Sequence, residues 1–195
     1  MVYVSGVLGL RWSEVVGLRV RSVDFLRRTV TVSETLAEVN GHPLVADVKT
    51  KAARRTLGMP TELADMLAAH LVRRGRPGPD ELVFVAPDGG PLRASNFRQR
   101  VWRPAVEQAG LQGLTFHGLR HSAVGLMIEL GTHIEAIKQR MGHSSIRVTS
   151  DVYGSVLPSV DDAVSAGLSE VFRNSRGADV VQCLSRRDQS SGPSA

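Results

Sequence analysis

Between positions 61 and 71 the large apolar side chains fall at Leu63, Met66, Leu67 and Leu71, the three-and-four spacing that lines one face of a helix. Pro60 with Thr61 and Glu62 marks its start and the glycine- and proline-rich stretch 75–79 its end. Upstream the rhythm changes. Residues 29–35 alternate and are rich in β-branched side chains, Asn40-Gly41 is a hairpin-turn pair, and runs at 44–48 and 54–59 follow, so a small antiparallel sheet is expected there. Ser13 and Glu14 followed by Val15, Val16 and Leu18 open a short helix just past Arg11. Residues 1–10 read as the tail of another helix. Residues 82–85 read as a brief buried strand and Asp88-Gly89-Gly90 as a turn. Ser95 or Asn96 is expected to cap a helix that Pro104 kinks or restarts before Gly110. Helical text then fills 117–130, 134–141, 145–153 and 160–172, with Gly131 and Gly142 as stops. The expected fold class is mainly α with a small antiparallel β-sheet, an α+β arrangement.

The chain of 195 residues, 42% hydrophobic and 22% charged, has the composition of an ordinary globular domain and no apolar run near the roughly 18 residues that span a bilayer. Its opening, MVYVSGVLGLRWSE, lacks a basic stretch ahead of the apolar residues, so no secretory signal is expected and the cytoplasm is the expected location. We expect one main domain over residues 1–173. Residues 174–195 carry few large apolar groups and are expected to be disordered. The single cysteine, Cys183, builds neither an intrachain disulfide nor a thiolate cluster, and His42, His70 and His133 lack ligand-like spacing, so no metal or cofactor is expected. A formal net charge of +5 favours an anionic partner. The positive charge is clustered: Lys49, Lys51, Arg54 and Arg55, then Arg73, Arg74 and Arg76, then Arg93, Arg98, Arg100 and Arg103.

Candidate chemistry is concentrated in His117-Gly118-Leu119-Arg120, in Gly142-His143 and in Tyr153. A tyrosine that attacks a phosphodiester must lose its proton, yet with an ordinary pKa near 10 only about a thousandth is ionised at neutral pH. Arginines lower that cost and a histidine can take the proton. Planar guanidinium forks also neutralise and orient the non-bridging oxygens of the transition state. A lysine partly desolvated against DNA suits the remaining task, protonating the leaving 5′ oxygen.

In order along the chain, Gly9-Leu10-Arg11-Trp12-Ser13-Glu14, Val48-Lys49-Thr50-Lys51, the HxxR box within 115–122, Met141-Gly142-His143-Ser144 and Asp151-Val152-Tyr153-Gly154 resemble the motifs of the tyrosine recombinase, or phage integrase, catalytic domain. The resemblance covers roughly residues 5–172 and implies site-specific recombination or integration of double-stranded DNA, as in mobile elements, through a 3′-phosphotyrosyl intermediate. It implies that Arg11 and Arg120 clamp the scissile phosphate, that Tyr153 is the nucleophile and that Lys49 is the acid, the alternative acid being Lys51, two residues on along the same hairpin and on the same face of the strand. It further implies that His117 accepts or positions a proton, that His143 binds a non-bridging oxygen, and that Glu14 orients the arginines. Lys51, Arg54, Arg93, Arg98, Arg100 and Arg103 are the DNA-binding candidates. His121 is expected to cap or pack. The apolar stripe Val160, Val164, Leu168 and Val171 or Phe172 is expected to pack on its own core or, by the resemblance, to support self-association on DNA.

Members of that family place a helical core-binding domain ahead of the first arginine, whereas Arg11 stands close to the start here. The expectation is an amino-terminally truncated catalytic domain with fewer phosphate contacts. The alternative to an enzyme is a noncatalytic DNA-binding fragment, in which residues 134–153 form a helix-turn-helix with Gly142 in the turn. A type IB topoisomerase shares the nucleophile chemistry, but the GLRWSE and GHSS wording favours the recombinases.

Overall fold

Strand alternation becomes burial in the computed structural model, which describes residues 1–39, 42–47 and 54–142. In β2 (Thr29–Val32) Val30 and Val32 point inward, and in β5 (Arg55–Gly58) Arg55 and Leu57 do so. With β1 (Val23–Asp24) these form an antiparallel sheet of order β1-β2-β5, in which Val30 lies opposite Leu57 and Val32 opposite Arg55. A second hairpin pairs β3 (Glu34–Val39) with β4 (His42–Asp47), Glu34 opposite Asp47. The expected single sheet is therefore two. The run at 29–35 divides at Ser33, because its first half has β5 as a partner and its second half is drawn onto a helix.

That helix is α2 (Trp12–Val16), and the contact depends on Gly17. A Cβ at Gly17 would lie 2.8 Å from the Leu36 backbone nitrogen, so glycine lets β3 approach and bury Leu36. The far strand has no such cover: Leu44 and Val45 of β4 are exposed.

The expected strand at 82–85 does not form. Leu82 makes one isolated antiparallel bridge to Arg19, while the Val83 carbonyl meets His70 Nε2 at 2.8 Å and accepts from Arg74 Nη1 at 3.0 Å. The Val83 N–H donates to the Leu18 carbonyl at 2.7 Å, so backbone and side chains together satisfy the segment without a strand, and Val83 and Phe84 are still buried. In α3 (Thr61–Arg73) Leu63, Leu67 and Leu71 face the core as their spacing requires, whereas Met66 is half exposed. The main core joins this stripe to Leu8 and Val4 of α1 (Val2–Leu8), Val15, Val30 and Val32 of β2 and Leu57 of β5.

Helix α4 (Ala94–Phe97) begins after Arg93, so Ser95 and Asn96 lie inside the helix and do not cap it. It runs through a π turn (Arg98–Trp102) into α5 (Arg103–Gln108). Pro104 offers no N–H and crowds the carbonyl four residues back; the wider turn, closed by the Arg103 N–H on the Arg98 carbonyl, absorbs it without a break. Helices α6 (Gly118–Glu129) and α7 (Ile134–Met141) follow, with Gly131 and Gly142 in left-handed conformation at their ends. Among the described residues no helix is long and apolar enough to cross a membrane. The Asn40-Gly41 turn, the helices expected at 145–153 and 160–172, most of the helix-turn-helix reading and the tail at 174–195 lie outside the described residues.

Candidate active site

Three arginines converge on the carboxyl end of α7. The last carbonyls of a helix lack partners within it and carry its negative dipole end. Here Arg55 Nε donates to the Arg140 carbonyl at 2.8 Å, Arg120 Nη2 to Met141 at 2.6 Å and Arg11 Nη2 to Gly142 at 3.4 Å. Each successive carbonyl takes a different guanidinium. Arg120 is 2% exposed and also donates to the Gly9 carbonyl at the end of α1. Burial, then the charge of Arg11, pushes its pKa down to about 9 despite the opposing pull of Glu14.

Glu14 is the counterion at the centre of this group. Its Oε2 accepts the Arg11 backbone N–H at 2.8 Å, reaching back over the first turn of α2, and its Oε1 accepts Arg11 Nη1 at 3.0 Å. Arg55 Nη1 and Nη2 bind the same two oxygens at 3.0 Å each. Burial by itself would raise the carboxyl, but the bonds and charge of Arg55, followed by those of Arg11, hold it below the ordinary carboxylate range. The Arg11–Glu14 pair is thus no surface ion pair: Glu14 is 3% exposed. The fourth arginine, Arg140, donates to the Gly58 carbonyl at 2.9 Å and so ties α7 to β5.

His117 stands at the amino end of α6, one turn before Arg120, with its ring 4.9 Å from that of His121 in an edge-to-face arrangement. Neighbours that strip its hydration, then the charges of His121, Arg120 and Arg11, lower its pKa. A neutral imidazole able to accept a proton is the result. Beside it lies an apolar cavity of about 730 Å³, lined by Trp12, Phe97, Trp102, Val106 and Phe116 and edged by His117. The four aromatic rings pack at centroid separations of 4.9–6.4 Å, and Trp102 Nε1 donates to the Leu114 carbonyl at 2.9 Å.

Of the residues expected at the site, Arg11, Glu14, His117 and Arg120 come together. Lys49, Lys51, His143 and Tyr153 lie outside the described residues. Arg54, Arg93, Arg98, Arg100 and Arg103 are exposed; Arg93 faces Glu38 at 3.9 Å and Arg103 pairs with Glu107 at 2.8 Å. Arg55 and Arg140 were missed as site residues. For Arg55 the signal was available, because strand alternation places it on the inward face with Leu57 while Arg54 faces out. Arg140 carried no comparable signal. Among the described residues no group of three or more His, Cys, Asp or Glu could hold a metal ion.

The sequence model of the phage integrase family matches residues 2–159. A tyrosine recombinase XerC-like protein of Caldanaerobacter subterraneus subsp. tengcongensis is 25% identical over 187 residues, covering 84% of this chain and 47% of the relative. The integrase of Staphylococcus phage L54a is 24% identical over 182 residues, covering 87% of this chain and 51% of its own. The chain spans about half the length of these curated relatives. Among solved structures, the Tn1549 transposon integrase in complex with transposon right end DNA superposes with a TM-score of 0.68 at 24% identity, covering 78% of this chain and 52% of that one. The catalytic domain of bacteriophage HP1 integrase gives 0.53 at 23% identity, covering 84% and 78%. At these identities the likeness is one of fold.

Proposed function

The chain belongs to the phage integrase family, and on that premise we propose that it cleaves and rejoins double-stranded DNA at specific sites, in the cytoplasm, as the catalytic domain of a tyrosine recombinase over residues 1–173. The convergence of Arg11 and Arg120 beside a neutral His117 is the observation that carries this reading. Such a cluster is suited to a dianionic transition state at phosphorus.

Tyr153 Oη attacks the scissile phosphorus, giving its proton to His117 directly or through water, and an O–P bond to tyrosine forms. The bond from phosphorus to the 5′ oxygen breaks, and Lys49 protonates that oxygen, leaving a 3′-phosphotyrosyl link and a free 5′ hydroxyl. Arg11, Arg120 and His143 bind the non-bridging oxygens throughout, with Glu14 holding Arg11 in place. A 5′ hydroxyl from a partner strand reverses the sequence. One phosphoester replaces another at each step, so the exchange needs neither ATP nor a metal. Lys51, Arg54, Arg93, Arg98, Arg100 and Arg103 contact the DNA backbone, and residues 160–172 dock on a neighbouring copy bound to the same DNA.

A nicked suicide substrate tests the chemistry. The full chain should form a covalent protein–DNA adduct that Tyr153→Phe abolishes; DNA binding without any adduct would instead favour a noncatalytic binding module. Deletion of residues 160–172 should reduce assembly of more than one copy on a two-site DNA in a gel-shift titration, and unchanged assembly would remove that segment from the interface.

A further inference from the structure

A carboxylate beside a phosphate-binding arginine both anchors it and competes with the phosphate. Glu14 fixes the Arg11 guanidinium through Oε1 at 3.0 Å and the Arg11 backbone N–H through Oε2 at 2.8 Å. An arginine and a glutamate alone would be neutral as a pair. Such a pair offers an incoming phosphodiester hydrogen bonds but little net attraction. Arg55 alters that balance. Its Nη1 and Nη2 meet the two Glu14 oxygens at 3.0 Å each as a parallel fork, while its Nε is engaged by the Arg140 carbonyl at 2.8 Å.

Within this trio, two guanidinium groups against one carboxylate leave one positive charge in surplus, beside the buried Arg120 that feels all three, and exposure decides where it is felt. The side chain of Arg55 is 6% exposed and that of Glu14 2%, against 37% for Arg11. Of the three, Arg11 is the one an anion arriving from solvent can meet. The lowered carboxyl keeps Glu14 ionised at neutral pH, so its charge has to be offset by a second cation and not by protonation. In a buried setting that offset acts at several times its strength in water.

We infer that Arg55 is a positioning residue that balances the charge of Glu14, so that Arg11 is held in place by the carboxylate yet keeps its positive charge for the phosphate. The inference rests on the proposed role of Arg11 at a scissile phosphate. It makes β5, which supplies no group to the phosphate in that reading, the source of the site's charge balance.

The test uses the whole chain and inorganic phosphate, read by NMR as the displacement of the Arg11 side-chain signal in arginine-labelled protein. Arg55→Met removes the charge and keeps most of the stem; it should weaken phosphate binding about tenfold or more. Arg55→Lys loses the fork and keeps the charge, and should stay within about threefold of the parent. The double variant Glu14→Gln/Arg55→Met deletes both buried charges and restores the surplus, so it should return to within about threefold as well. A purely structural tie between β5 and α7 would not spare the lysine variant or be rescued by removing Glu14's charge. Where Arg55→Met alone does not fold, the lysine and double variants decide the matter.

A second reading comes from the covalent reaction. With an uncharged methylphosphonate in place of the scissile phosphate, the Arg55→Met defect in adduct formation should shrink about tenfold, since there is less charge to neutralise. Equal phosphate binding by parent and Arg55→Met, a lysine or double variant more than about tenfold weaker than the parent, or no response at Arg11 in the parent overturns the inference. A parent that binds phosphate at Arg11 but forms no Tyr153 adduct overturns the proposed function and leaves the charge balance standing.

Discussion

Arg120 and His117 sit one helical turn apart and are tuned by the same neighbourhood in different ways. Arg120 is stripped of water and is compensated by two backbone carbonyls, those of Gly9 and Met141; its fork geometry satisfies both helix ends at once, which a single ammonium could not do with the same fixed angle. His117 is stripped of part of its hydration by its neighbours and also feels the charges of His121, Arg120 and Arg11, so its neutral form is favoured. A lowered pKa means that the imidazole stays unprotonated further into acid than a free histidine. The acid limb of the cleavage pH profile should therefore lie below about 6.5. His121→Ala removes a crowding ring and a charge, so it should move that limb upward toward the ordinary histidine value. A pH series of single-turnover adduct formation checks this, with an unmoved or lowered limb excluding His117 as the titrating acceptor. The residue types at both positions were legible in the HxxR spacing. Their partners were not, because Gly9, Met141 and His121 reach them through backbone carbonyls and ring packing that leave no compositional trace.

The helices and strands meet at a few close approaches that fix the site's geometry. Helix α2 carries Glu14 toward Arg55 while its end, Gly17, lies against β3. A Cβ there would meet Leu36 nitrogen at 2.8 Å and the Thr35 carbonyl carbon at 3.1 Å, backbone atoms that cannot swing aside. Gly17→Ala should cost about 1–3 kcal/mol, seen as a lowered urea midpoint with unchanged slope. A destabilisation below about 0.5 kcal/mol would show that β3 shifts freely. Periodicity predicted α3 and α7 well, since each has a long apolar stripe or a clear glycine stop. It failed at 82–85, where four apolar-rich residues look like a strand whether or not a partner exists. The split of residues 29–39 between two sheets was hidden for the same reason: alternation specifies which face is buried, not which strand lies alongside. The π turn before Pro104 was visible only as an expected kink, because the sequence marks the obstacle and the neighbouring residues choose how the helix passes it.

Across the whole molecule, two groups stand apart among the arginines behind the formal charge of +5. Arg11, Arg55, Arg120 and Arg140 are bound to carbonyls or Glu14, whereas Arg98 and Arg100 are exposed on the π turn. If the exposed pair meets phosphates, Arg98→Ala/Arg100→Ala should weaken DNA binding for all sequences alike. It should also flatten the plot of log affinity against log salt by about 0.9 for each phosphate that is no longer neutralised. Affinity measured between low and physiological salt tests this, and an unchanged slope would remove these arginines from the DNA surface. The family, and Arg11, Glu14, His117 and Arg120 as residues that come together, were readable from ordered local motifs, because covalent spacing along a helix or turn determines which side chains share a face. What tertiary structure alone decided is the charge state and reach of those groups. The Glu14 carboxylate is shared between arginines 41 and 3 residues away, and the α7 carbonyls accept bonds from partners as far as 131 residues distant. Electrostatics depends on distance through space and on exclusion of water, and neither quantity is written in the order of the residues.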